Sequence, residues 1–78
     1  MLKKEGREIV EIELLDVVAL KEDVPKKRLK AGMRGVVVLI FDEPWKAYEV
    51  EFCNKYGETI TTLALRPEQI EHVGKVGS

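Results

Sequence analysis

The chain has 78 residues, which is the size of one small domain. Hydrophobic residues make up 45% of the sequence, a fraction that is typical of a folded protein and excludes disorder by composition. Thirteen basic and fourteen acidic residues leave a net charge of −1, so no overall positive field draws the chain to nucleic acid or to a membrane surface.

Two further patterns concern the cellular compartment. No apolar run approaches the ~20 residues that cross a bilayer, so no membrane span is expected. The first residues, MLKKEGRE, lack the apolar core of a signal peptide. We therefore expect a cytoplasmic protein.

Residues 1–14 form a predicted N-terminal extension. Within it, Val10, Ile12 and Leu14 alternate with Glu11 and Glu13, which slightly favours an extra strand. The apolar residues also fit the stripe of a short helix, so both alternatives stay open. As a strand, the extension would lengthen the first strand of the domain or pair with a second molecule, which makes a homodimer one expectation.

Residues 15–73 predict an all-β domain. Short apolar, β-branched runs are separated by Pro, Gly and polar clusters, which is the pattern of strands joined by turns. The predicted strands cover 15–20, 34–42, 48–52, 59–65 and 70–73. Five short strands in so few residues predict a small closed or nearly closed barrel, because closure leaves few free strand edges.

The strand patterns also predict faces. Residues 34–42 have no polar face between their ends, which predicts a strand buried on both sides over much of its length. In the next strand Tyr48, Val50 and Phe52 alternate with glutamates and are expected to face inward. Residues 74–78 are predicted to be a flexible tail.

The connections carry the candidate binding residues. Pro25 interrupts the long loop 21–32, and Trp45 lies in the turn 42–46. Gly57 is expected to take the left-handed position of a hairpin turn that begins at Asn54. Residues 66–69 are predicted to break the chain with one 3₁₀ turn.

The reactive side chains give little support for catalysis. Cys53 and His72 are the only cysteine and histidine, and they would need to meet in the fold to form a nucleophilic pair. Cys53 closes an apolar stretch and is expected to pack as a small hydrophobe. His72 has no companion at a metal-ligand spacing. We therefore predict a non-enzymatic protein with no catalytic residues, cofactor or metal site.

Several segments in one order resemble a known family. They are LDVVAL (15–20), EDVP (22–25), LKAGMRGVV (29–37), AYEVEF (47–52) and GET (57–59). The series resembles the short bacterial proteins grouped as domain of unknown function 4926, over roughly residues 15–73, and AYEVEF is its most specific part. The resemblance implies a Src-homology-3-like (SH3-like) barrel. It implies no activity and no catalytic residues.

The chain departs from that family in two places. Its N-terminal segment is longer than the family usually shows. Its hairpin contains EPWK at 43–46, where a shorter Asp-Gly-type turn is expected. Separately, residues 30–37 are similar to the Gly-Val core of the KOW element, in which small barrels contact RNA or protein.

The first functional hypothesis is a protein-binding module. A tryptophan at a turn tip cannot easily reach the core of a small barrel, and Trp and Tyr dominate many binding surfaces. The predicted partner-binding residues are Trp45, Tyr48 and Tyr56. The alternative for Trp45 is a lid that folds back over Phe41 and Tyr48. A regulatory partner such as an antitoxin or immunity protein would be one form of such a module.

The second hypothesis is nucleic-acid binding through the loop 21–34, which holds six basic and two acidic residues. Its candidate phosphate-binding residues are Lys26, Lys27, Arg28, Lys30 and Arg34. Residues 35–58 hold five acidic and two basic residues, so positive charge is not concentrated over the whole domain. We therefore rank a protein partner first.

Overall fold

A computed structural model describes residues 11–76, and five antiparallel strands form a single sheet. The strands are β1 (Asp16–Leu20), β2 (Arg34–Phe41), β3 (Ala47–Cys53), β4 (Thr59–Leu65) and β5 (Ile70–Lys75). Two 3₁₀ turns complete the regular structure, the first at Pro25–Lys27 and the second at Pro67–Gln69. The predicted all-β fold with five strands is confirmed. None of the helices within 11–76 is long and apolar enough to cross a membrane.

The order of strands in the sheet is β4-β3-β2-β1-β5. Two hairpins join β2, β3 and β4 as a meander, and the chain then crosses to the far side of the sheet, where β5 pairs with β1. Among the described residues β4 and β5 are therefore the two edges. The fold is barrel-like, but the ring of strand pairing is open between β4 and β5.

One face of the sheet builds the core. The buried apolar side chains of this cluster are Val18, Leu20, Leu29, Val37, Tyr48, Val50, Phe52, Leu65 and Ile70. The inward alternation predicted for β3 is confirmed, since its three apolar side chains are buried while Glu49 and Glu51 lie between them and are only partly exposed. The face prediction follows from the two-residue period of a strand.

Gly35 allows β2 and β3 to pack closely at the centre of the sheet, because it has no side chain. A Cβ at this position would lie 2.6 Å from Cγ1 of Val50 and 2.8 Å from the carbonyl oxygen of Glu51. Both distances are shorter than real Cβ contacts. The β2–β3 pair therefore packs closely enough that only glycine fits here.

The prediction for β2 was wrong over its second half. Leu39 and Phe41 are 48% and 37% exposed, and Val38 is also exposed. The β2–β3 register shifts between Val37 and Leu39, which marks an irregularity in the ladder. Within residues 11–76 no second layer covers the outer face of the sheet, so an all-apolar strand exposes the side chains that point away from the core.

The end of the N-terminal extension also differs from prediction. Residues 11–13 have no regular structure and Leu14 and Leu15 form a turn, so this part is neither the strand nor the helix expected. Leu15 takes a left-handed φ of 69°. Asp16 enforces the turn, because its backbone N–H donates to the Glu13 carbonyl over 3.0 Å and its carboxylate accepts the Glu13 N–H over 2.8 Å. The predictions for residues 1–10 fall outside the described residues.

The other end of the domain is longer than predicted. Gly74 and Lys75 belong to β5, opposite Val17 and Asp16, rather than to a tail that begins at 74. Glycine and lysine are both depleted in strands, so these two residues did not predict a strand. Their pairing with β1 decides their conformation.

Candidate binding surfaces

Trp45 stands at the hairpin between β2 and β3 and is 66% exposed. It lines an open cleft of about 340 Å³ together with Lys46, Arg66, Pro67 and Glu68. The alternative in which Trp45 caps the core as a lid does not fit this exposure. The indole is therefore available to a partner at the surface.

The walls of the Trp45 cleft are fixed by local hydrogen bonds. The side-chain Oε1 of Gln69 accepts the backbone N–H of Arg66 over 2.8 Å, and the N–H of Gln69 donates to the Arg66 carbonyl over 2.9 Å. These bonds and Pro67 hold the second 3₁₀ turn in place. A fixed wall opposite an exposed indole loses little conformational freedom when a ligand enters.

Charges of both signs surround the indole. Nζ of Lys46 lies 3.1 Å from Oδ1 of Asp42, and Nε of Arg66 lies 3.1 Å from Oε2 of Glu68. The hydrogen bond to Asp42 raises the pKa of Lys46, so this ammonium group stays charged. The cleft thus combines an apolar ring with two cations and their carboxylate partners.

The three predicted partner-binding aromatics do not form one patch. Tyr48 is 4% exposed and belongs to the core, where it lies between Ile40 and Leu65 in the sheet. It is therefore not a surface residue, and we remove it from the candidate surface. Tyr56 is 76% exposed, but it follows β3 whereas Trp45 precedes it. A strand of this length spans about 20 Å, so the two rings lie at opposite ends of the sheet.

The Tyr56 hairpin is held by a residue that the sequence analysis treated only as a turn former. Oδ1 of Asn54 accepts the backbone N–H of Tyr56 over 2.8 Å and that of Glu58 over 3.0 Å. Gly57 takes a φ of +84°, which confirms its predicted left-handed position. The turn therefore presents the Tyr56 ring on a fixed support.

All five predicted phosphate-binding residues are exposed. Lys26 and Lys27 lie in the first 3₁₀ turn, and Arg28 ends it with a left-handed φ of 61°. Lys30 and Arg28 border a hollow of about 350 Å³ that Asp23 also lines. Arg34 instead lines a smaller recess on the outer face of the sheet, with Glu51 and Cys53. Each hollow therefore places a carboxylate beside the cations.

The loop that carries these cations is well anchored. Leu29 is buried in the core at 1% exposure, and Val24 and Leu29 form a two-way backbone bridge of 2.8 and 3.1 Å. Oδ1 of Asp23 accepts the N–H of Ala31 over 2.8 Å. The basic side chains thus project from a fixed loop.

The sequence analysis missed the most buried polar group of the domain. Asp16 is fully buried at the start of β1. Its Oδ1 accepts a hydrogen bond from Nζ of Lys75 over 3.0 Å, and its Oδ2 lies 3.1 Å from Nε2 of His72. Lys75 also reaches Oε1 of Glu13 over 2.6 Å. An aspartate at an inward position of an apolar strand was the signal that could have revealed this cluster.

The pKa of Asp16 reflects two opposing effects. Burial raises the pKa, because it disfavours the charged carboxylate. The N–H of Glu13, the hydrogen bond and charge of Lys75, and the charge of His72 lower it, and together they outweigh burial. The pKa therefore lies below its ordinary value, and Asp16 is an anion with its partners in place.

Comparison with known protein families identifies the family of this chain. The model of the family described as "Domain of unknown function (DUF4926)" matches residues 14–72. The chain belongs to the DUF4926 family. The resemblance found in residues 15–73 is thereby confirmed. No curated protein and no solved structure matches the chain.

The DUF4926 match covers most of the surfaces described above. It includes Trp45, Tyr56, the basic loop, and both Asp16 and His72, but it ends before Lys75. The cation that completes the Asp16 cluster therefore lies beyond the matched segment. It belongs to the part of β5 that the sequence did not predict.

Cys53 and His72 are not brought together in this DUF4926 domain. Cys53 is exposed, which corrects the expectation that it packs in the core, and it borders the recess on the outer face. It follows the inward Phe52 directly, so the two-residue period of β3 directs its side chain to the outer face. His72 instead lies beside Asp16 in β5, three strands away across the sheet. A separation of three strands is about 14 Å along the sheet.

Proposed function

We propose that this DUF4926 protein is a non-enzymatic binding module that engages a protein partner through the Trp45 cleft. The observation that carries the proposal is the exposure of Trp45 beside a wall fixed by Pro67 and Gln69. Tryptophan is enriched among the residues that contribute most of the binding energy in protein interfaces. An adaptor, a regulatory subunit or an antitoxin-like or immunity-like protein would use such a surface.

The chemistry of the cleft favours a polypeptide ligand. It offers an indole, the ring of Pro67, and the cations of Lys46 and Arg66 beside their carboxylates. This combination suits a segment with one apolar anchor and flanking polar groups of either sign. A polyphosphate backbone would require uncompensated positive charge instead.

The test compares two aromatic variants. Trp45→Ala and Tyr56→Ala each remove one exposed ring from opposite ends of the sheet. Each protein would be used to capture partners from a native lysate, with and without nuclease, and the captured protein would then be purified for a direct affinity measurement. We expect Trp45→Ala to weaken binding by about 30-fold, or about 2 kcal/mol, while Tyr56→Ala leaves it unchanged. Equal affinity of both variants and wild type would contradict the proposal.

A second candidate function is nucleic-acid binding by the loop 21–34. Within the described residues no carboxylate lies at ion-pair distance from Lys26, Lys27, Arg28 or Lys30. The Tyr56 hairpin lies at the same end of the sheet as the start of β2, where the loop 21–34 ends. The ring of Tyr56 is therefore at the same end of the sheet as the last residues of this loop.

The salt dependence of oligonucleotide affinity tests the nucleic-acid-binding alternative. An oligonucleotide that uses these cations should bind with an affinity that falls steeply with salt, and Lys26→Glu with Lys27→Glu should flatten the slope. Absence of binding at low salt would exclude it. Loss of every captured protein on nuclease treatment would place it ahead of the Trp45 proposal.

A further inference from the structure

The two edges of the sheet differ in how they are protected against pairing. β5 carries Glu71 and Lys75. Both edge strands have one register shift against their neighbour, so the difference between them is charge. Charged side chains on an edge strand disfavour its pairing with another chain. β4 reads TITTLAL and contains no charge, proline or glycine between Thr59 and Leu65.

Among residues 11–76, β4 pairs only with β3. Every second residue of an edge strand directs its N–H and C=O away from the sheet, where they lack a strand partner. Ile60 is 46% exposed, and Thr62 and Ala64 are exposed on the same face. From Thr61 to Leu65 this edge is in regular register with β3, and among the described residues it is uncharged and has no strand partner on its outer side.

We propose that a second copy of this chain covers that edge, with the two β4 strands antiparallel and a two-fold axis at Thr62. Thr62 is the middle residue of β4 and lies in the part of the strand, 61–65, whose register with β3 is regular. It places Ile60 opposite Ala64 of the second copy and Thr61 opposite Leu63, and each pair shares a face. The result is one continuous ten-stranded sheet with an isologous interface.

The charges of the domain permit this pairing. β4 brings no like charges into contact, and the net charge of −1 gives little long-range repulsion between copies. The nearest acidic row is on β3, where Glu51 is opposite Thr62 and accepts a hydrogen bond from Thr59 over 2.7 Å. In the dimer the two Glu51 residues would be three strand spacings apart, about 14 Å. That exceeds the Debye length of about 8 Å at physiological ionic strength.

Side-chain chemistry favours the same register. Thr62 would lie opposite Thr62 of the second copy, and cross-strand threonine pairs are stabilising. Leu63, which already packs against the core, would extend the apolar face toward the second core. The interface lies apart from Trp45, which belongs to the β2–β3 hairpin, so it goes beyond the proposed function.

Sedimentation equilibrium of the full chain over a wide concentration range tests the proposal. We expect a reversible dimer. Thr62→Lys sets two ammonium groups directly opposite each other across the axis, whereas within one chain it faces Glu51 favourably. It should raise the dissociation constant at least tenfold. Val73→Lys, at an exposed position of the other edge strand, β5, is the control and should leave the constant unchanged.

A crosslink tests the register independently of any effect on folding. Directly opposite residues in an antiparallel pair have Cα atoms about 4.5–5.5 Å apart, which suits a disulfide. In a Cys53→Ser background, Thr62→Cys should therefore form an intermolecular disulfide under mild oxidation, and Val73→Cys should not. A monomer at every concentration overturns the proposal. So does a dimer that withstands Thr62→Lys and gives no crosslink at 62, since pairing through residues 1–10 or another surface would then hold it.

Discussion

Lys75 donates a hydrogen bond over 3.0 Å to Asp16, a fully buried carboxylate 59 residues earlier in the chain. The pair joins the start of β1 to the end of β5. Since Asp16 also binds the turn at Glu13, one carboxylate fixes three segments of the domain. This contact makes the last strand part of the fold rather than a tail, and the first three predictions follow from it.

Asp16→Ala should lower the free energy of unfolding by about 3 kcal/mol. The substitution removes the acceptor of the Glu13 N–H and of His72 and one of the two carboxylates that Lys75 contacts, and hydrogen bonds to a charged group contribute about 1.5–3 kcal/mol each. Urea titration followed by circular dichroism measures the change. Asp42→Ala is the control, because Asp42 is 71% exposed in its pair with Lys46 and should matter little. Equal effects at the two positions would show that the Asp16 cluster has no special role.

Stability should also depend on pH through Asp16. Its pKa in the folded state is below the ordinary value of 3.8, so the unfolded chain takes up the proton first as pH falls. The stabilisation is therefore complete above pH 3.8 and is lost below it. The difference in unfolding free energy between wild type and Asp16→Asn should shrink as pH falls through that range. A difference that stays constant down to pH 2 would argue against an ionised Asp16.

Lys75 should limit the stability of the domain at alkaline pH, as Asp16 does at acidic pH. Hydrogen bonds to Glu13 and Asp16 raise its pKa above the ordinary value of 10.5, so its contribution is complete below pH 10.5 and is lost above it. Lys75→Met should remove the alkaline part of the pH dependence and leave the chain folded at neutral pH. Thermal unfolding between pH 8 and 11 measures this. An unchanged alkaline profile would assign that dependence to another group.

Gly35→Ala should destabilise the domain by about 2 kcal/mol. The added methyl group would meet Val50 and the Glu51 backbone at distances that force β2 and β3 apart. Gly74→Ala is the matched control, since nothing lies within 4 Å of a Cβ at that position and its φ is not positive. Denaturant midpoints of the two variants give the comparison, and a larger loss at Gly74 would be inconsistent with the packing described.

Trp45 is the only tryptophan, so its fluorescence reports on one site. Because the ring is already 66% exposed, its emission wavelength should change little when urea unfolds the chain. Binding of a protein partner in the cleft should instead shift the emission to shorter wavelength and protect it from acrylamide. A large red shift on unfolding would indicate a lid-like position for the ring.

The sequence predicted the strands well where residue patterns are local. The alternation of Tyr48, Val50 and Phe52 defined the inward face of β3, and Gly57 defined its hairpin. The limits of β4 were predicted to the residue. Such features depend on side-chain period and turn chemistry, which neighbouring residues determine.

What the sequence could not predict depends on contacts between distant residues. Gly74 and Lys75 extend β5 only because β1 lies beside them. The exposure of Leu39 arises because, in the part of the chain that the structure describes, nothing packs on the outer face of the sheet. Among the candidate site residues, the exposure of Trp45 was foreseen as one of two alternatives. The burial of Tyr48 removes it from the surface, although its inward direction was itself predicted. The sequence analysis had predicted both that Tyr48 faces inward and that it binds a partner, and a buried side chain cannot do both.

The pairing of β1 with β5 has a consequence for synthesis. β1 leaves the ribosome first among the strands and must wait for a partner 59 residues later, which takes roughly 3–12 s at 5–20 residues per second. During that interval Asp16 has no cation from Lys75, and β1 has a vacant side. A nascent chain therefore cannot complete this sheet stepwise from its N-terminal end. The first strand can pair with β2 beforehand, but it gains its second neighbour only when the final strand arrives.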